Sequence, residues 1–182
     1  MDRKWFVTII IILCIAVFLF IYTNRKTEKG QFDIDYSVNK VDQYDIGAIE
    51  EANLYSNENP PFSFRYPDDF SVSSFEDTDK SVVLVQKSED QAGLQIYISD
   101  FSDDKEGLTP QRIQRDIPSI VMENVQPVFF GGKETGLIFV STRDNEKVRE
   151  MWFVYEGWLY QITTPLSFDE ALEKIMNTWQ FN

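Results

Sequence analysis

Hydrophobic positions follow three different patterns along this chain. The first is an unbroken run, Trp5–Tyr22 (WFVTIIIILCIAVFLFIY), with no charge and with Thr8 as its only clearly polar member. At about 1.5 Å per residue a helix of this length spans about 27 Å, close to the ~30 Å hydrocarbon core of a bilayer. Trp5 and Tyr22 stand at its ends, where amphipathic rings favour the interface. Its β-branched residues do not argue for a strand, because an unpaired strand cannot satisfy its backbone in lipid. The run therefore predicts a single transmembrane helix over 5–22, after a short tail at 1–4. A cleaved signal peptide would need a shorter apolar region and a small-residue exit, and the exit reads Phe20-Ile21-Tyr22-Thr23-Asn24. Cys14 follows Leu13, not the small residue that a lipoprotein site expects, so it reads as one more apolar residue of the helix.

The second pattern is polar. Over residues 23–47 the few apolar side chains are interrupted by Asp33, Asp35, Asp42 and Asp45, which predicts a tether, disordered or loosely docked. The third pattern begins near Ala48–Leu54 and defines a body over 48–182. Its length buries roughly two-thirds of the unfolded surface, enough for a core without disulfides or metals. Short apolar runs alternate there between turn-forming residues: Phe62–Tyr66, Phe70–Phe75, Ser81–Lys87, Gly93–Phe101, Gln126–Phe130 and Gly136–Arg143 read as strands. Lys147–Tyr155 and Trp158–Thr164 are joined by Glu156-Gly157, the length and composition of a tight hairpin turn. With Tyr155 opposite Trp158, Phe153 faces Tyr160 and Met151 faces Ile162. On the other face Val154 meets Leu159 and Trp152 meets Gln161. Both faces are largely apolar, which predicts that both are covered.

Two segments change period. Thr109-Pro110 places a capping hydroxyl before a proline at the first helical position. Ile113, Ile117, Val121 and Val125 then recur at helical spacing, with Pro118 as a kink or a restart. Near the end, Ser167-Phe168-Asp169-Glu170 has the form of a capping box. Phe168, Ala171, Leu172, Ile175, Met176 and Trp179 mark one helical face there, with Asp169, Glu173, Lys174 and Asn177 on the other.

Four of these stretches stand in the order found in PsbP-like domains: Phe62–Phe70 (FSFRYPDDF), Gly131–Glu134 (GGKE), Tyr155–Thr163 (YEGWLYQIT) and Ile175–Phe181 (IMNTWQF). The first resembles the family's opening core strand, Gly-Phe-Ser-Phe-Lys-Tyr-Pro in typical form, and the resemblance extends over about residues 52–182. It implies an α+β fold: an α/β/α sandwich with a central, mainly antiparallel sheet, here placed after a transmembrane helix. Plant and cyanobacterial members of the family are extrinsic photosystem II subunits, and many bacterial relatives are membrane-anchored or lipoprotein domains. A nuclear-import factor that binds the small GTPase Ran shares the fold. No catalytic motif defines the family, so the resemblance supplies no site residue. The anchor and the long tether depart from the photosystem subunits.

Composition narrows the chemistry. The 182 residues contain no His and one Cys. That removes the commonest general base and metal ligand, any intrachain disulfide, and thiolate chemistry outside the membrane. Residues 1–29 carry five basic and two acidic side chains, which leaves 12 basic and 28 acidic in the rest, net −16. A body so acidic repels phosphate backbones and anionic lipid surfaces, so nucleic acid is not an expected partner. Gly131-Gly132-Lys133 lacks the spacing of a phosphate loop and reads as a hairpin turn. Paired carboxylates could hydrolyse glycosides, but among 28 some pair is always close. Two acidic stretches, Glu76-Asp77-Thr78-Asp79 and Asp100–Glu106, offer hard oxygen ligands without an EF-hand register. Asp100, Asp103 and Asp104 are the candidate calcium ligands.

These features point to a single-pass cell-membrane protein whose body acts outside the cytoplasm as a non-enzymatic module for a protein partner. A small-molecule or calcium-binding domain is the alternative, and a carboxylate hydrolase comes after it. Orientation rests on the short basic start, Arg3 and Lys4, against the cluster Arg25, Lys26 and Lys29 on the far side.

Overall fold

The computed structural model of the chain describes residues 31–34, 53–77, 80–87, 92–102 and 107–182. The apolar run 5–22 and its flanks lie outside the described residues, as do 35–52; among the described residues no helix is long and apolar enough to cross a membrane.

Eight strands form one antiparallel sheet. In chain order they are β1 (Phe32–Asp33), β4 (Phe70–Asp77), β5 (Lys80–Lys87), β6 (Gly93–Asp100), β7 (Glu123–Phe130), β8 (Lys133–Arg143), β9 (Glu146–Tyr155) and β10 (Trp158–Pro165). Across the sheet the order is β1-β7-β8-β9-β10-β6-β5-β4. A smaller sheet, β11-β3-β2, is built from β2 (Asn53–Glu58), β3 (Pro61–Tyr66) and β11 (Gln180–Phe181). Helices α1 (Pro110–Asp116) and α2 (Asp169–Thr178) complete the described elements.

Turn chemistry explains the long central hairpins. Glu156 and Gly157 adopt φ of 47° and 81°, and Asp144 and Asn145 adopt 50° and 69°. Positive φ at both central residues is the turn whose twist matches that of the strands. It locks Tyr155↔Trp158, Phe153↔Tyr160, Met151↔Ile162, Val154↔Leu159 and Trp152↔Gln161, the register expected from the sequence.

One face of the large sheet buries Val83, Ile96, Ile98, Met151, Phe153 and Tyr160 against α2 and the small sheet. There Trp179 stacks on Phe62 at 4.5 Å with rings 2° apart. The other face is covered over part of its area by α1, whose Ile113 packs with Leu137, Phe139 and Trp152. The α/β/α description therefore holds only loosely. The molecule is mostly antiparallel sheet, with a mixed layer on one face and a seven-residue helix on part of the other.

Three expectations are corrected. The helix at Thr109 begins as read, with Thr109 Oγ1 accepting from the Arg112 N–H at 3.2 Å, but it stops at Asp116. Ile117 precedes Pro118, whose ring excludes helical backbone from that residue; Ile117 sits at φ −128°, ψ 80°. Val121 and Val125 are accordingly exposed, and Val125 belongs to β7. The last helix is entered through a 3-10 turn at Leu166–Phe168, so the cap position falls on Phe168 and not on Ser167. Asp169 is not on the solvent side. It is buried, and both of its oxygens accept from Arg149 of β9, from Nε at 3.1 Å and Nη2 at 2.7 Å. The stretch read as a tether, disordered or loosely docked, joins the sheet at one described point: Phe32–Asp33 pairs with β7 through Phe32↔Phe130, and Phe32 is buried.

Candidate functional site: an open half-face of the sheet

Alternation in β4, β5, β6 and β10 sends one set of side chains into the core and presents the other outward. In β5, Val83 and Val85 go in while Val82, Leu84 and Gln86 face out. In β6, Leu94, Ile96 and Ile98 go in while Gln95, Tyr97 and Ser99 face out. In β10, Tyr160, Ile162 and Thr164 go in, and Leu159, Gln161 and Thr163 face out. Paired residues share a face, so the register aligns rows across the strands. One row runs Phe75–Val82–Tyr97–Gln161–Trp152–Leu137. The next runs Ser73–Leu84–Gln95–Thr163–Glu150–Phe139.

Each row starts under α1 and emerges from it. Leu137, Phe139 and Trp152 are buried; Gln161, Tyr97, Val82 and Leu84 are half-buried; Phe75 is 60% exposed. None of the outward positions in these two rows beyond Glu150 and Trp152 carries a charge. In a body of net −13 that leaves a neutral patch of aromatic, aliphatic, hydroxyl and amide groups.

Glu150 closes the patch at its inner border. Its side chain is fully buried, and four donors converge on it. Ser141 Oγ at 2.9 Å and Arg143 Nε at 2.7 Å donate to Oε1. Thr163 Oγ1 at 2.8 Å and Trp152 Nε1 at 3.1 Å donate to Oε2. A carboxylate held this way ties β8, β9 and β10 together and orients the Trp152 ring at the edge of the open area. Saturated with donors and sealed from solvent, it is a structural node.

Asp100 ends β6, fully exposed. Its Oδ1 accepts from the Ser102 N–H at 2.8 Å, and donation from the Ser102 backbone and hydroxyl holds its carboxyl below the usual range. Asp103 and Asp104 lie outside the described residues. Among the described residues no three His, Cys, Asp or Glu side chains gather as a metal site. Gly131-Gly132 is a hairpin turn at φ 57° and 77°, as its composition suggested. The open half-face itself was missed, because the hairpin of β9 and β10 reads as apolar on both sides. Its signal was one strand pair further out: Val82, Leu84 and Tyr97 occupy outward positions that a solvated face would fill with charges.

No family model and no curated protein matches the chain. Among solved structures it is similar to the solution structure of cyanobacterial PsbP (CyanoP) from Synechocystis sp. PCC 6803, at 11% identity and a TM-score of 0.49, over 80% of this chain and 99% of that one. That protein belongs to the family whose motifs the segments FSFRYPDDF, GGKE, YEGWLYQIT and IMNTWQF resemble.

Proposed function

We propose that this chain is a membrane-anchored, non-enzymatic interaction module that displays its body outside the cytoplasm and receives a protein partner on the open half-face. The observation that carries the reading is the uncharged row Phe75–Val82–Tyr97, which no other described residue covers, in an otherwise strongly acidic body. Interfaces are depleted of charge at their centre and enriched in aromatic residues, which is the composition of this row. The run 5–22 supplies the anchor, and the absence of His from the sequence supports a non-catalytic role.

Site-specific photo-crosslinking in intact cells tests both parts. A photoreactive phenylalanine at Tyr97 is expected to capture a discrete protein, while the same group at Gln111, exposed on α1, captures none. Protease added to spheroplasts is expected to remove the body and leave a short membrane stub. Equal capture at both positions would remove the half-face as the site, and full protection of the body would place it in the cytoplasm.

A further inference from the structure

The large sheet has two edges. One ends in β1, two residues long, and the other in β4, eight residues long. Among the described residues β4 has a single sheet neighbour, β5, and pairs with it without a bulge from Phe70↔Lys87 to Asp77↔Lys80. Edge strands are ordinarily guarded against further pairing by lysine, proline, a bulge or short length. The stretch Phe70–Phe75 (FSVSSF) has none of these. Its guards are acidic and sit at the ends. Asp68 and Asp69 precede the strand, Glu76 and Asp77 finish it, and all four are exposed. On β5, Lys80 stands opposite Asp77 and Lys87 opposite Phe70.

From this arrangement we propose that β4 takes an extended, basic segment of the partner as an added strand. The proposal deepens the interaction reading above and rests on it. Strand addition draws its affinity from main-chain hydrogen bonds and its selectivity from alternate side chains. One set of the added side chains would lie beside Ser71, Ser73 and Phe75, extending the row Phe75–Val82–Tyr97 across the new strand. Apolar and β-branched residues fit there. Lys or Arg at both ends of the segment would meet the carboxylates that bracket β4. A second copy of this chain is the wrong occupant, because it brings the same acidic edge and another body of net −13.

The test uses the full chain in mild detergent and a labelled probe peptide, Lys-Lys-Val-Thr-Val-Thr-Val-Lys-Lys. The acidic counterpart, with Glu at the four terminal positions, is expected to bind at least about tenfold more weakly. N-methylation of alternate amides in one register is expected to abolish binding, and in the other register to leave it unchanged, because only one edge of the peptide faces β4. Ser74→Pro should remove binding, because the Ser74 N–H lies on the open edge while Ser73 bonds Leu84 of β5, and Ser73→Lys, an exposed change that leaves the pairing with β5 intact, should weaken it by about tenfold. Binding indifferent to N-methylation in both registers, or retained in Ser74→Pro, overturns strand addition. So does concentration-dependent self-association that Ser73→Lys abolishes, which would make a second copy the occupant. Crosslinking from Tyr97 that persists in Ser73→Lys while the probe fails to bind would overturn the strand proposal and leave the interaction reading standing.

Discussion

Arg149 occupies an inward position of β9, one pleat from Met151 and Phe153, where an unpaired guanidinium would be ruinous. Its fork meets the Asp169 carboxylate on α2 in a two-point contact, and both side chains are almost wholly buried. Breaking such a pair from one side leaves a buried charge without its counterion, whereas replacing both members with apolar groups is often neutral. Arg149→Met should therefore cost about 3–5 kcal/mol, and Arg149→Met combined with Asp169→Leu should recover at least half of that loss. Urea denaturation of the two variants checks it; a double variant as unstable as the single one would mean that the residues act separately. This pair was not read from the sequence: Arg149 was not singled out, and its partner looked solvent-facing. At about 100° per residue Asp169 lies only about 20° beyond Met176, the last apolar position of the helix arc. It sits at the boundary of the buried face, and periodicity alone does not decide which way a boundary residue turns.

Elements were legible where a local rule fixed them and illegible where one rule had to defeat another. The β9–β10 hairpin came out pair by pair, since a two-residue turn sets the register and a slip of one would exchange the faces. The helix at Thr109 failed past Ile117 because the apolar period continues through Pro118 while the backbone cannot. The outer face of β5 and β6 was not anticipated because cover is supplied by a distant element, and α1 is too short to reach them. The end of α2 shows local and distant contacts working together. Trp179 leaves the helix at φ −63°, ψ 133° and leads into β11, which pairs with β3. Its ring stacks on Phe62 and meets Phe153 and Tyr160 edge-on, while its buried Nε1 has no hydrogen-bond partner among the described residues. Trp179→Ala should cost about 3–5 kcal/mol by the usual range for a buried aromatic. Trp179→Phe should cost far less, about 1 kcal/mol, since it keeps a ring on Phe62 and removes the unsatisfied N–H. Thermal melts of the two variants check the difference. Equal losses would mean that Nε1, not the ring, is the group that matters.

At the scale of the whole molecule, the two edges of the sheet lie far apart. The tail joins the fold at β1, where Phe32 packs on Phe130 at 4.9 Å and on Phe153 at 5.0 Å. The open strand β4 is seven neighbours away in the sheet, about 34 Å at the usual strand spacing of ~4.8 Å. An anchor at 5–22 would thus hold the domain by one edge and leave the other edge facing away from the attachment. This joint was hard to read from the sequence. Phe32, Ile34, Tyr36 and Val38 alternate only briefly, Asp33, Asp35 and Asp42 interrupt any apolar face, and the pairing itself is two residues long. It has a measurable consequence, because a body cut at residue 48 loses the Phe32 ring from the aromatic core. A fragment spanning 30–182 is expected to be more stable than one spanning 48–182 by about 3 kcal/mol, at the lower end of the range for deleting a buried Phe. Phe32→Ala in the longer fragment should reproduce most of that difference, because the ring and not the backbone pairing of β1 carries it. If both fragments unfold at the same denaturant concentration, β1 contributes nothing to the fold. The tail would then join the domain near Asn53 in β2, and the separation of attached and open edges would no longer hold.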